Sequence, residues 1–210
     1  VPTRVVTRTR TPDRRVPSER GLQTRQKLMG ATIELLATRP YRDIKVFDVA
    51  REVGTSPATF YQYFPDVEGV VLEASRLLVR ETTAALDGFK DGSWSSDGLA
   101  GATRLVEAVL DGWSNHLPVM RVLTAVAAER EPRFVKAYFA ATGPVRRVLT
   151  AAVQSDRPDD EGKELVHALV TGFAAAAGHE NAENVRGLTK HQRRQGLARL
   201  IHAAVTTTAA

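Results

Sequence analysis

Apolar residues in this chain recur every three to four positions and do not alternate over a strand's length, and that pattern restricts it to helices. Leu28, Ala31, Thr32, Leu35 and Leu36 form one stripe, stopped by Pro40. Val46, Val49, Ala50 and Val53 form a second, stopped by Gly54, a residue that tolerates the left-handed turn after a helix. Ser56 and Pro57 are an N-cap and first-turn pair opening a short third helix, which Pro65 ends. A long stripe from Val67 to Ala85 follows, then a Gly-, Ser- and Asp-rich stretch over 88–98 that reads as a loop. Beyond it, stripes run from Leu105 to Leu117, closed by Pro118, and from Met120 to Ala127, closed near Pro132. The next runs from Phe134 to Ala152, where Gly143-Pro144 should kink the helix. Two last stripes are carried by Leu165 to Ala176 and by Leu197 to Val205. An all-α chain of about nine helices is expected. Asp159, Asp160 and Glu161 precede one of them, where the helix dipole favours acids; that explains them better than a metal site does.

Charge sharpens the picture because it is not spread evenly. The chain has 210 residues and a formal net charge of +5. Residues 1–27 hold eight basic side chains (Arg4, Arg8, Arg10, Arg14, Arg15, Arg20, Arg25, Lys27) against Asp13 and Glu19, so the remainder is close to neutral. Residues 1–19, with Pro2, Pro12 and Pro17 and little to bury, are expected to be a disordered basic arm. Such arms neutralise phosphates or enter a minor groove, and they also occur as plain solvated tails; both readings stay open from the arm alone. There is no cysteine, which excludes disulfides, cysteine-ligated zinc, iron–sulfur clusters and a thiol nucleophile. No apolar run of about 18 residues exists, and the basic start lacks the apolar stretch of a secretory signal. A basic cytoplasmic protein that does not span a membrane is the expectation.

Residues 46–64, VFDVAREVGTSPATFYQYF, carry the function. Two short helices around a glycine turn, the second opening on a small polar cap, are a helix-turn-helix pattern. Ala50 must be small where the second helix crosses the first. Phe60 and Phe64, four apart, anchor the second helix and leave its other side free. That side carries Pro57, Ala58, Tyr61 and Gln62, with Thr59 and Tyr63 at the flank and Ser56 at the cap. A helix start bearing small residues can enter a major groove, where a glutamine amide pairs with the adenine N6/N7 edge.

At these residues the chain resembles the TetR family of transcriptional regulators over 20–72, and the aromatic-rich F-Y-x-Y-F-P version is similar to the subgroup containing the ethionamide-resistance repressor. The resemblance implies a three-helix DNA-binding domain (20–65), followed by a helical ligand-binding and dimerisation domain (66–210) that a fourth helix joins to it. It implies base contacts from Pro57, Ala58 and Gln62, and phosphate or groove contacts from Thr59, Tyr61 and Tyr63. Two positions depart from the family pattern. Val67 stands where a phosphate-touching lysine is usual, and Lys45 where a capping threonine opens the second helix; Lys45 can still reach phosphate, with Asp43 expected to supply the cap. Phe47 is an aromatic where polar groups face DNA; it either meets bases or packs on the first helix, and packing is the preferred reading.

In the second domain Trp113, His116, Met120, Phe134, Tyr138 and Phe173 are the candidates for lining a pocket for a small, largely apolar effector. Leu165, Leu169, Phe173, Leu197 and Ile201, on the last two helices, are the candidate homodimer contacts. No catalytic or metal-ligating constellation occurs: the five histidines show no i, i+4 pair on one helix and no HExxH, and no phosphate-binding glycine loop is present. A ligand-responsive regulator, acting as a homodimer on a palindromic double-stranded DNA operator and without a cofactor, is expected. The rival readings are a regulator on the same frame controlled by a protein partner, an all-helical enzyme, and a non-specific DNA-coating protein.

Overall fold

The computed structural model describes residues 19–153, 160–180 and 187–206. Among these residues there are nine α-helices: α1 (Glu19–Thr38), α2 (Val46–Glu52), α3 (Pro57–Tyr61), α4 (Val67–Ala85), α5 (Gly98–Ser114), α6 (Leu117–Ala128), α7 (Pro132–Val153), α8 (Asp160–Gly178) and α9 (Lys190–Thr206). The expected basic arm lies outside the described residues except for Glu19, which already belongs to α1. Asp159 also lies outside them, whereas Asp160 and Glu161 occupy the first turn of α8.

Three boundaries differ from the sequence expectation. Pro118 and Pro132 open α6 and α7 rather than closing the helices before them. A proline in the first turn lacks only an N–H that has no intrahelical partner there anyway. The stretch 88–98 is not plain loop: tight 3₁₀ turns at Asp87–Phe89 and Ser93–Asp97 bury the Trp94 ring. Pro144, the expected kink site, lies buried inside the one helix α7.

Helices α1, α2 and α3 form a small bundle whose core is Leu28, Ala31, Leu36, Ile44, Val49, Ala50, Phe60 and Phe64. Helix α4 packs on α1, then runs on against α5, α6 and α7. Its stripe Val67, Val70, Val71, Ala74 and Leu78 therefore joins both halves into one continuous core. Helix α9 lies against α5 and α8. Their ends are fixed by Glu180, whose side chain is 3% exposed, with Lys190 Nζ at 2.9 Å. Arg194 Nε donates to the same carboxylate at 2.7 Å and its other arm reaches Asp111 of α5 at 2.6 Å. A carboxylate buried this far is held only because cations and hydrogen bonds compensate its lost hydration.

A candidate DNA-reading head and an effector core

The turn between α2 and α3 is built from its sequence. Gly54 adopts φ +71°, the Thr55 N–H donates to the Ala50 carbonyl at 2.8 Å, and the Gly54 N–H donates to that of Arg51 at 3.1 Å. This is a Schellman stop, which needs a residue without a Cβ at its left-handed position. Ser56 Oγ then accepts the Thr59 N–H at 3.2 Å and starts α3. Phe60, fully buried, and Phe64 fix the orientation of α3 from behind, with ring centroids 5.8 Å apart. What remains outward is Ser56, Pro57, Ala58, Tyr61 and Gln62, all exposed, with Thr59 and Tyr63 half-buried at the flank.

Helix α2 adds to this face, against the preferred of the two sequence readings of Phe47. Phe47 does not pack on α1: it is 60% exposed, and the Arg51 guanidinium stands 5.7 Å from its ring centre. Position 47 lies to the side of the Val46, Val49 and Val53 stripe, so the ring is turned away from α1. Lys45 is exposed too, its ammonium donating to the Arg42 carbonyl at 3.2 Å. The expected Asp43 cap is replaced by Asp48, whose Oδ2 accepts the Lys45 N–H at 2.9 Å. That hydrogen bond, helped by Arg39 and Arg51, holds the Asp48 carboxyl below the usual aspartate range. Val67 is buried and touches core, and Asp66 Oδ1 caps α4 by accepting the Gly69 N–H at 2.6 Å. A cleft of about 730 Å³ runs between α2, α3 and the start of α4, lined by Lys45, Phe47, Pro57, Tyr61 and Asp66 among others.

In the second half the six pocket candidates are not brought together around one space. Trp113 and Phe173 are fully buried and meet edge to face at 6.5 Å. His116 Nε2 lies 2.6 Å from Glu81 Oε2, tying the start of α6 to α4. Phe134 packs 6.4 Å from Tyr41, at the joint between the two halves. Tyr138 is half-buried, stacked edge-on with exposed Phe139. Met120 lines an apolar cleft of about 340 Å³ between α6 and α8, with Leu117, Ala174 and Ala177. Among the described residues, four buried side-chain polar atoms of this half have no hydrogen-bond partner, and Trp113 Nε1 and Thr82 Oγ1 are the two on α5 and α4. Thr82 escaped the sequence reading, although it continues the buried stripe of α4 through Val71, Ser75 and Leu78. Of the dimer candidates, Leu169, Phe173 and Ile201 point into the protomer's own core; Leu165 and Leu197 are half-exposed.

A helix-turn-helix head with one locked and one bare face, joined through a long helix to a larger all-helical half, defines a DNA-binding regulator of two-part helical build. Matches to known proteins agree and are more specific. Residues 28–74 match the family described as bacterial regulatory proteins, tetR family, and residues 86–210 match the tetracyclin repressor-like C-terminal domain. The chain belongs to the TetR family of transcriptional regulators, which are not enzymes. It is 30% identical over 127 residues to the HTH-type transcriptional regulator EthR of Mycolicibacterium smegmatis, a match covering 60% of this chain and 58% of that protein. Over 68 residues, 32% of each chain, it is 40% identical to EthR of Mycobacterium tuberculosis. The matched segments thus span less than two thirds of these relatives. The Thermus thermophilus TetR-family repressor FadR, solved with lauroyl-CoA, shares the fold with a TM-score of 0.56 at 18% identity, covering 89% of this chain and 97% of that one. Among the described residues no helix is long and apolar enough to cross a membrane.

Proposed function

We propose that this regulator is a cytoplasmic repressor that binds a palindromic operator as a homodimer and is released by a small, largely apolar effector. The observation that carries the DNA half is the bare face of α3. Phe60 and Phe64 hold the helix from behind, so Pro57, Ala58, Tyr61 and Gln62 are presented to a groove on a backbone that needs no ordering at binding. Gln62 reads adenine; Pro57 and Ala58 offer apolar contact to a thymine methyl. Lys45, Ser56, Thr59 and Tyr63 take phosphates, and the exposed Phe47 ring adds an apolar contact beside them. Residues 1–19 supply further phosphate charge.

The effector reading is supported by the unpartnered Trp113 Nε1 and Thr82 Oγ1, because buried polar atoms without partners are rare and costly. A ligand that reached this core with a hydrogen-bonding group would satisfy one or the other. Phe173 packs directly on Trp113, and the surrounding side chains of α4 and α5 are mostly apolar, so such a ligand is mostly apolar too. The dimer face is the outer side of α8 and α9, where Ala168, Thr171 and Ala175 are exposed beside Leu200, which is 57% exposed. Leu165 and Leu197 border it, while Leu169, Phe173 and Ile201 support it from within.

Selection of bound sequences from random duplex DNA, followed by competition against bulk DNA at physiological salt, tests the operator. A palindromic consensus preferred by a factor of about 10³ or more is expected; equal affinity for bulk DNA would sink the operator. Thermal-shift screening with apolar small molecules then separates effector control from control by a protein partner.

A further inference from the structure

We infer that the corner between α6 and α7 is an electrostatic clip whose residues Arg42, Glu129, Glu68 and Arg133 position the reading head on the effector half. The corner is short and turned sharply: Arg130 sits at φ +65°, a region that a residue with a side chain seldom adopts. That turn places Glu129, at the end of α6, against Arg42 of the 3₁₀ turn between α1 and α2, and the two form an ion pair. It also places Arg133 between two carboxylates. Its Nε donates to Glu131 Oε1 at 2.8 Å, and its other arm pairs with Glu68 in the first turn of α4. Glu131 is itself fixed, because its Oε2 accepts the Phe134 N–H at 2.8 Å and so starts α7.

Tyr41 closes the arrangement. Its ring lies 6.4 Å from that of Phe134, and Glu68 is the charged group that bears most on its hydroxyl. Burial and the Glu68 charge both push that hydroxyl well above the usual tyrosine range. Charges alternate along the corner, and two of the pairs, Arg42–Glu129 and Arg133–Glu68, bridge from the reading head or the start of α4 to α6–α7, while Arg133–Glu131 stays within the corner.

Neighbouring packing explains why these pairs matter here. A cleft of about 300 Å³ separates the end of α1 and its following turn from α6, and both Arg42 and Glu129 line it with Leu36, Pro40, Val122 and Val126. Apolar contact is therefore incomplete at the place where the head meets the effector half. Exposed ion pairs contribute little to global stability, so the clip's consequence is orientation rather than stability. A change at α6 or α7 moves Glu129 and Arg133 together and takes the head with them.

A charge-reversal cycle on the full chain tests the clip: Arg42→Glu, Glu129→Arg and the double variant, with amide hydrogen exchange as the first readout. Each single change should speed exchange over 41–45 and 129–134 about two- to fivefold, the range that an exposed pair allows, with melting temperature nearly unchanged. The double variant should return both segments to wild-type rates. Wild-type exchange in the single variants, or no recovery in the double, would overturn the clip. The second readout rests on the operator-binding reading above: affinity for the selected palindrome as its half-site spacing is varied. Glu129→Arg, which alters no residue of the reading head, should broaden the spacing preference while bulk-DNA affinity stays the same. A spacing preference as sharp as wild type counts against the clip. If wild-type protein prefers no palindrome, the operator-binding reading fails and the exchange cycle still decides on the clip.

Discussion

The Arg25 guanidinium of α1 donates to Glu73 Oε1 of α4 at 3.0 Å, and it also stands 4.8 Å from the centre of the Phe64 ring. One side chain thus ties the first helix both to α4 and to the residue that locks α3. Because the pair is partly buried, it contributes more than a free surface pair, about 1 kcal/mol.

Glu73 makes that contribution pH-dependent. Its carboxyl is held below the usual glutamate range, first by the Arg25 hydrogen bond and further by Arg76, against the opposing effect of burial. A depressed folded-state value stabilises above the unfolded value, about pH 4.3, and the gain is lost as pH falls through the folded value. Glu73→Gln should therefore lower the urea midpoint at pH 7. Below about pH 4 the difference from wild type should shrink steadily, since the wild-type carboxylate is then protonated as well. Denaturation curves at pH 7 and pH 3 check this; a constant difference across both would show that the charge is not responsible.

Phe47 offers a cleaner separation of stability from binding. Its ring is mostly in solvent, so Phe47→Ala should change unfolding free energy by no more than about 0.5 kcal/mol. Affinity for the selected operator should fall about tenfold, the effect of losing one contact worth just over 1 kcal/mol. Fluorescence anisotropy on labelled duplex reads this directly. Unchanged affinity would mean that the ring does not reach DNA.

Phe47 also marks where the sequence stopped being informative. The helix-turn-helix was legible because local chemistry determines it: a left-handed turn needs Gly54, a helix start needs Ser56, and four-residue spacing puts Phe60 and Phe64 on one side. Capping was less legible, since Asp43 and Asp48 are both acids near the start of α2 and only geometry chooses between them. Pro118 and Pro132 were read as stops because a proline ends one helix and opens the next with the same residue. The second half was least legible. Burial of Leu169, Phe173 and Ile201 depends on how α5, α8 and α9 meet, and an apolar stripe does not say whether its partner is the same chain or a copy. The clip was beyond reach altogether, because Arg42 and Glu129 are 87 positions apart and look like ordinary surface charges.

Thr82 gives the proposed effector site a specific test. Its hydroxyl is buried with no partner, a loss of about 1–3 kcal/mol relative to a satisfied group. Thr82→Val keeps the shape and removes the hydroxyl, so the ligand-free protein should gain up to about 1 kcal/mol, or about 2–4 °C in melting temperature. Any effector that uses this hydroxyl should at the same time bind more weakly. Calorimetric melting with and without the effector found by screening measures both. A melting temperature that drops in the ligand-free variant would show that the hydroxyl is satisfied in solution.

Glycines in α5 give the same substitution two opposite outcomes. A Cβ on Gly101 would lie 1.8 Å from the Trp94 carbonyl oxygen, and that oxygen is backbone, held by the tight turn that buries the Trp94 ring. No rotamer relieves such a contact; the start of α5 must move away from the turn. Gly101→Ala should cost at least about 3 kcal/mol, at the upper end of what overpacking does, and expose Trp94. Gly112 lies eleven positions later in the same helix, and a Cβ there meets nothing within 4 Å. Gly112→Ala should stabilise by about 0.5–1 kcal/mol, because alanine loses less backbone entropy in a helix. Urea titrations followed by tryptophan fluorescence measure both variants. The Gly101 variant should show a red-shifted native baseline, and the Gly112 variant a wild-type one with a higher midpoint. Similar stability in the two variants would mean that α5 does not approach the Trp94 turn as closely as its backbone implies.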